Sequence, residues 1–243
     1  MKEEHGVNKQ KRTILNSLLI ITVLFIAIII ALIVQKIYAY RSAQENYASV
    51  KAEVITEGAS AFDRKIDFSI LDTKNSGVCS WIYIPDTMID YPVVQGIDND
   101  IYLSYDAYGN ESESGAIFMN YVNSPDLSDS KTIIYGHSMK DGSMFHALHD
   151  YTDEGFAMEH NHLYLYTDTS DVIDYQLLCT LKANCYDETI YTYSAYEDPD
   201  ATLDYLLDNA DHIYGESTDE NIIILSTCIK GDSRRVVVFQ KTV

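Results

Sequence analysis

Three kinds of side chain in this sequence have the chemistry needed for acyl transfer. Cys228 follows the apolar run 222–227, Arg234 and Arg235 begin the next apolar run, and His137 follows a third run after one glycine. A thiol is a strong nucleophile only as a thiolate, so it needs an imidazole or a cation beside it. In such a set the thiolate attacks a carbonyl, the imidazole protonates the leaving amine, and a guanidinium stabilises the oxyanion.

The other cysteines and histidines have weaker sequence contexts. The remaining cysteines are interpreted as packing residues: Cys79, Cys179 and Cys185. Two close histidine pairs lack carboxylates at ligand spacing, and we interpret their members as solvated or capping residues: His146 with His149, and His160 with His162. The chain has no Cys-x-x-Cys pair. We therefore expect no metal site and no cofactor.

Short apolar runs separated by turn residues must position these groups. This pattern of short apolar runs begins near Cys79 and is typical of a mainly β sandwich or barrel. The predicted strands are 80–84, 91–94, 115–119, 131–135, 163–167, 171–182, 222–227 and 235–240. Helices are predicted over 36–61, as a stalk, near 67–75, and within 198–212, where Asp198 or Asp200 stands near the start.

The amino-terminal region contains a long apolar segment at 14–34. A helix of that length crosses a hydrocarbon core of about 30 Å. A cleaved signal peptide usually has a shorter apolar region and a small-residue cleavage site, so we favour an uncleaved anchor. Lysine and arginine residues precede the segment, which predicts a cytoplasmic amino terminus and an extracellular remainder: Lys2, Lys9, Lys11 and Arg12.

The composition is strongly acidic. Among 243 residues there are 37 Asp and Glu against 17 Lys and Arg, for a formal net charge of −20. Because a negatively charged surface repels polyphosphate, this composition argues against a nucleic-acid partner.

Several motifs together resemble the sortases of Gram-positive bacteria, specifically class B. They are WIYIPDTMIDYPVVQGIDNDIYL (81–103), SGAIFMNY (114–121), YGHSMKDGSMFHAL (135–148), LSTC (225–228) and RRVVVFQK (234–241). The resemblance implies an eight-stranded sortase-type β-barrel with peripheral helices, behind an N-terminal transmembrane helix. It also implies a cysteine transpeptidase that anchors surface proteins to the cell wall.

In such an enzyme, the resemblance makes Cys228 the nucleophile and His137 the general acid and base. The enzyme cleaves a C-terminal sorting signal after its threonine and holds the protein as a thioester. It then passes the protein to an amine of peptidoglycan or lipid II.

The same resemblance places an arginine at the start of the last strand. Only one of two neighbouring strand residues faces the thiol, because side chains alternate. We expect Arg235, since the position after it is apolar, and Arg234 is the alternative. The loop 229–233 is shorter than in many class B members.

Residues beside the expected catalytic groups are candidates for substrate binding. Ser226 projects to the same strand face as Cys228, and Thr227 lies between them. Tyr135 and Ser138 flank His137 closely enough to line a groove with it.

The predicted organisation is a cytoplasmic segment 1–13, a transmembrane anchor 14–34, helical elements 35–74 and a catalytic domain 75–243. The expected location is the cell membrane, with a single pass. Competing functions are a class B pilin polymerase, a sorting-signal hydrolase, and a membrane-tethered binding module that uses the same barrel without turnover.

Overall fold

The computed structural model describes residues 2–169, 172–192, 199–218 and 220–242. Its helices are α1 (Lys2–Val54), α2 (Phe68–Lys74), α3 (Glu154–Glu159), α4 (Glu188–Tyr191) and α5 (Pro199–Asp208). Its strands are β1 (Ile55–Thr56), β2 (Lys65–Ile66), β3 (Val78–Tyr83), β4 (Asp90–Gln95), β5 (Ile117–Met119), β6 (Lys131–Tyr135), β7 (His162–Tyr166), β8 (Val172–Asn184), β9 (His212–Ile213), β10 (Ile222–Lys230) and β11 (Ser233–Lys241). Short 3-10 helices cover Ala61–Asp63, Ile101–Leu103 and His146–Thr152.

Eight of these strands form a closed β-barrel. Their order is β11-β10-β6-β5-β4-β3-β7-β8, and pairing between β8 and β11 closes the sheet. The pairs β6–β10 and β4–β5 are parallel, whereas the other pairs in the barrel are antiparallel. Closure leaves no unpaired edge, and β9 is a two-residue strand added beside β8.

The eight-stranded barrel confirms the predicted fold class. Each predicted strand has a counterpart, and the ends differ by a few residues. Residue 171, the predicted start of the longest strand, lies outside the described residues. The short helix predicted near 67–75 is α2, which begins after Asp67; the Asp67 carboxylate accepts hydrogen bonds from the Ser69 and Ile70 amides.

Strand β10 is buried on both of its faces. Ile223 and Leu225 face the barrel interior, while Ile222 and Ile224 join an outer cluster that includes Leu206 of α5. This two-sided burial explains why the strand is a continuous apolar run rather than an alternating one. The helix predicted within 198–212 is α5, and it covers this outer face; residue 198 lies outside the described residues.

Helix α1 ends at Val54, seven residues before the predicted end of the stalk helix at 61. The chain leaves the helix there because Ile55 and Thr56 pair with Ile66 and Lys65 in a small antiparallel sheet. The expected stalk is also partly core, since Tyr47, Val50 and Val54 are buried in the compact unit Asn46–Val243.

The unit Met1–Glu45 contains the apolar part of α1. Within the described chain, Ile14–Val54 is the one helical segment with a stretch long and apolar enough to cross a membrane, by length and composition. Its large apolar side chains are exposed between Ile14 and Ile37.

A buried ionic cluster joins the last turns of α1 to the barrel. The Arg64 guanidinium donates to both Asp90 carboxylate oxygens, at 2.9 and 2.7 Å, and stacks on the Tyr83 ring at 4.2 Å. The Trp81 indole donates to Asp90 at 2.6 Å, and Lys51 of α1 pairs with the same carboxylate. Asp90 therefore compensates two cations from segments that precede the barrel.

Replacing Asp90 by Asn tests this cluster. The amide still accepts from Trp81 but no longer neutralises the buried Arg64 charge, which is left with the largely exposed Glu57 carboxylate 3.5 Å away. We expect a loss of about 3 kcal/mol in the free energy of unfolding, in the range found when one partner of a buried ion pair is removed. Urea denaturation measures it. Asp72→Asn, at an exposed position of α2, is the matched control, with an expected change below about 0.5 kcal/mol. Equal stability of the two variants would contradict the assigned role of Asp90.

Candidate active site

The nucleophile candidate lies inside a tight hairpin rather than at the end of a strand. Strand β10 continues past Cys228 to Lys230, and β11 begins at Ser233. Gly231, with φ of 56°, occupies the turn in the left-handed region that favours glycine. The predicted loop 229–233 is therefore reduced to a two-residue turn, and a bulge interrupts the register between Cys228 and Lys230.

Parallel pairing of β6 with β10 brings His137 to Cys228. The register aligns Tyr135 with Ser226. Beyond it, the Gly136 amide donates to the Ser226 carbonyl at 3.2 Å, and the buried Thr227 hydroxyl donates to the Gly136 carbonyl at 2.7 Å. Thr227, expected to touch substrate, thus holds the two strand ends together through its hydroxyl.

One ring nitrogen of His137 is held by the backbone. Nε2 lies 2.9 Å from the Leu103 carbonyl, which can only accept, so Nε2 carries the proton and Nδ1 is left for the thiol. Gly115 packs against the same ring: an added Cβ would lie 3.1 Å from His137 Cδ2 and 2.5 Å from the Tyr102 carbonyl oxygen. Backbone contacts therefore set both the tautomer and the orientation of this imidazole.

The electrostatics of the pair favour a thiolate and an imidazolium. A hydrogen bond to His137 lowers the pKa of the Cys228 thiol, and the Arg234 charge acts in the same direction against the effect of burial. The same hydrogen bond raises the pKa of His137, opposed by burial and by Arg234. These opposite shifts are expected for an activated cysteine nucleophile.

The two arginines point to opposite faces of the hairpin. Arg234 is paired in register with Cys228, and Arg235 with Thr227. Arg234 lines the groove of the thiol and donates from Nη1 to the Gly231 and Ser233 carbonyls at 2.8 and 3.2 Å. Arg235 is 8% exposed and pairs with Asp211 at 2.7 Å. The expected placement of Arg235 beside the thiol is therefore wrong, because the short turn sets a register in which Arg234 faces it.

A groove of about 360 Å³ runs over the thiol. Of the residues expected to bind substrate, Tyr135, Ser226 and Thr227 line it. The other lining residues are Asn99, Asp100, Leu103, Phe118, Gly136, His137, Cys185, Tyr191, Cys228 and Arg234.

Tyr191 of α4 forms a wall that sequence reasoning missed. Its hydroxyl lies 2.8 Å from the Ser226 hydroxyl, and its ring stacks on Tyr135 with centroids 6.2 Å apart. The Tyr135 hydroxyl in turn accepts a hydrogen bond from the Asn120 amide at 3.0 Å. Tyrosine is too frequent in this chain, with 20 copies, for its residue type to single out this one.

Ser138 faces away from the groove, contrary to expectation. Its hydroxyl lies 3.0 Å from His146 Nδ1 and 3.0 Å from His149 Nε2. These two histidines are partly buried partners of Ser138 rather than solvated residues. His160, expected to be solvated or capping, is the C-cap residue of α3; it is buried, with Nδ1 2.9 Å from the Pro85 carbonyl.

The three remaining cysteines differ in their surroundings. Cys179 is buried in the outer core and Cys79 packs against the inner one, in agreement with their interpretation as packing residues. Cys185 instead lines the groove, where its amide donates to the Asp232 carbonyl at 2.8 Å. Across residues 2–169, 172–192, 199–218 and 220–242, no group of three His, Cys, Asp or Glu side chains is arranged to hold a metal ion.

Comparison with known proteins agrees with this geometry. The Sortase domain family matches residues 82–243, more than half of the chain. The chain belongs to the sortase family. The match contains every groove residue named above, including the Cys228, His137 and Arg234 set.

Individual relatives of this sortase are of class B. Sortase B of Listeria monocytogenes serovar 1/2a is 44% identical over 90 residues, which are 37% of this chain and 37% of that relative. Sortase B from B. anthracis superimposes with a TM-score of 0.71 at 29% identity, covering 85% of this chain and 99% of that one. A Staphylococcus aureus sortase B–substrate complex superimposes with a TM-score of 0.66 at 27% identity, covering 72% of this chain and 84% of that one.

Removing the imidazole tests the electrostatics of the sortase site. In His137→Ala, the hydrogen bond that lowers the Cys228 thiol pKa is lost while burial still raises it. We expect alkylation of Cys228 by iodoacetamide at pH 7 to slow by about tenfold, which corresponds to one pKa unit. Mass spectrometry of the Cys228 peptide measures the rate, and Cys185 in the same digest is the internal control. An unchanged Cys228 rate would contradict the assigned hydrogen bond.

Proposed function

We propose that this sortase is a membrane-anchored class B cysteine transpeptidase that attaches surface proteins to the cell wall. The observation that carries the proposal is the grouping of Cys228, His137 and Arg234 in one groove, with the thiol pKa lowered and the imidazole pKa raised. A binding module would not need an activated thiol at the base of a substrate-sized groove.

The first half-reaction forms a thioester. The Cys228 thiolate attacks the main-chain carbonyl carbon of the threonine in a C-terminal sorting signal. The Arg234 guanidinium stabilises the resulting oxyanion. Arginine has five N–H donors, so Nη1 can keep its two backbone acceptors while others reach the substrate. The C–N bond then breaks as His137 gives its proton to the leaving amine.

The second half-reaction transfers the protein. An amine of peptidoglycan or lipid II attacks the thioester carbonyl, and the neutral His137 imidazole takes a proton from it. The C–S bond breaks and the thiolate returns. Transfer and hydrolysis share the first step, and they differ only in whether an amine or a water resolves the thioester.

The anchor and the partners follow from the same proposal. Residues 14–34 would span the membrane, with residues 1–13 in the cytoplasm and the catalytic domain 75–243 outside the cell, since the basic residues precede the span. The compact unit Asn46–Val243 contains that domain together with the end of α1 and all of α2. Proteins bearing a C-terminal sorting signal are the proposed substrates, and the substrate complex of the S. aureus relative supports this class.

Peptide cleavage and transfer test the function directly. Detergent-solubilised protein is incubated with a panel of threonine-containing sorting-signal peptides, with and without an added primary amine. We expect an acyl-enzyme on Cys228 by mass spectrometry, and an amine adduct only when amine is present. Cys228→Ala should form neither product. Release of the acid alone in both conditions would indicate a hydrolase, and no acyl-enzyme with any peptide would contradict the proposed reaction.

Separate substitution of the two arginines tests which one stabilises the oxyanion. Arg234→Ala should lower kcat/KM by about 10²-fold, the scale of losing an oxyanion donor. Arg235→Ala breaks the pair with Asp211 on the opposite face and should lower kcat/KM by less than about tenfold. The assay is cleavage of the best peptide from the panel. A larger loss in Arg235→Ala than in Arg234→Ala would overturn the assignment.

A further inference from the structure

A chain of polar side chains lies behind the catalytic pair, on the face of the hairpin opposite Arg234. It consists of His146, Ser138 and His149 and ends at the Cys228 backbone. Both histidines come from the 3-10 helix His146–Thr152, which packs on β10 and β11. Because a 3-10 helix has three residues per turn, positions 146 and 149 lie on one face.

The Ser138 hydroxyl connects the two imidazoles. Oγ is 3.0 Å from His146 Nδ1 and 3.0 Å from His149 Nε2, and the ring centroids are 5.7 Å apart in an edge-to-face arrangement. A hydroxyl has one proton to donate, so it donates to one imidazole and accepts from the other. Ser138 directly follows His137, and the Phe145 amide donates to the His137 carbonyl at 2.9 Å. The same short segment thus carries the catalytic imidazole and the bridging hydroxyl.

The second ring nitrogen of His149 sets the direction of the hydrogen bonds among His146, Ser138 and His149. With Nε2 on Ser138, Nδ1 is left for the Cys228 backbone of β10, on which the 3-10 helix packs and which acts as a hydrogen-bond acceptor that raises the His149 pKa. A carbonyl can only accept, so Nδ1 carries the proton and Nε2 accepts from the Ser138 hydroxyl. Ser138 Oγ then accepts from His146. The bulge between Cys228 and Lys230 interrupts the strand pairing at this residue, where the His149 contact is made.

We propose that Ser138 and His149 are positioning residues that hold the Cys228 thiol and the His137 imidazole at reacting distance. Ser138 acts through its neighbour His137, and His149 acts through the backbone of Cys228. Neither side chain is among the residues that line the groove, so we assign both to positioning rather than to contact with substrate. The inference rests on the proposed function and adds two residues to the machinery of that site.

Burial and the charged groups around His149 together favour its neutral form, as this arrangement requires. Burial lowers the pKa of His149, and the His146 and Arg235 charges lower it further. Asp150 of the same 3-10 helix and the Cys228 backbone act in the opposite direction. On β11, Arg235 is itself paired with Asp211. At neutral pH, Nε2 of His149 therefore remains an acceptor for Ser138.

The test measures the reactivity of Cys228 without any sorting peptide. Iodoacetamide alkylation of the Cys228 peptide is followed from pH 5 to 9 in detergent-solubilised full chain. In Ser138→Ala and His149→Ala, the hydrogen bond between thiol and imidazole loosens. We expect alkylation at pH 7 to slow by about fivefold, the effect of losing roughly one hydrogen bond, and the profile to move to higher pH.

Three further variants separate positioning from general stability. Ser138→Thr keeps the hydroxyl and should stay within about twofold of the wild type, whereas the double variant Ser138→Ala/His149→Ala should be no slower than either single one, because the two side chains act as a unit. His162→Gln removes a histidine that pairs with Asp174 and takes no part in the hydrogen bonds among His146, Ser138 and His149. This variant should leave the alkylation profile unchanged. If Ser138→Ala does not fold, His149→Gln against His162→Gln makes the same comparison.

The outcomes distinguish this inference from the proposed function. Unshifted alkylation profiles in folded variants, or additive losses in the double variant, overturn the positioning role even where peptides are cleaved normally. A lower melting temperature with an unchanged profile also overturns it. Shifted profiles in a protein that cleaves no sorting peptide would overturn the proposed function and leave the positioning role intact.

Discussion

The parallel pairing of β6 with β10 is the constraint on which the site depends. It brings together His137 and Cys228, which lie 91 positions apart in the sequence. The hydrogen bond from the Thr227 hydroxyl to the Gly136 carbonyl extends the contact between the two segments beyond the paired residues. Parallel strands require a long crossover, which here contains two barrel strands, β7 and β8, together with β9 and the helices α3, α4 and α5. Because closing so long a loop costs entropy, the pairing forms only with the barrel around it, and the dyad exists only in the folded domain.

The residues that stabilise the barrel and the candidate reactive residues lie in different parts of it. Its strands are buried on both faces in the middle, where aliphatic side chains fill the inner core and the outer cluster under α5. The candidate reactive groups lie at the rim of the barrel, where Cys228 is exposed and the His137 ring is held by the carbonyl of Leu103, the last residue of a 3-10 helix. A thiolate within the core would lose its hydration, whereas at the rim it keeps solvent and two cationic neighbours.

The hairpin turn decides which side chains serve the groove and which support it from behind. Two residues between β10 and β11 place Arg234 on the thiol face, and the same alternation turns Arg235 toward Asp211 and His149. The opposite face is therefore polar as well, with the Ser138 hydroxyl between two imidazoles. A longer turn would alter this register and exchange the environments of the two arginines.

The sequence by itself determined the strands and the apolar N-terminal segment, and it singled out Cys228 and His137 as the candidate reactive pair that the structure groups in one groove. Apolar runs and turn residues are local signals, and a thiol and an imidazole at strand ends form a chemically recognisable set. Only the tertiary structure decided between Arg234 and Arg235, turned Ser138 away from the groove, and brought Tyr191 into it. Those outcomes depend on register and on contacts between distant segments, and neither is encoded in the types of adjacent residues.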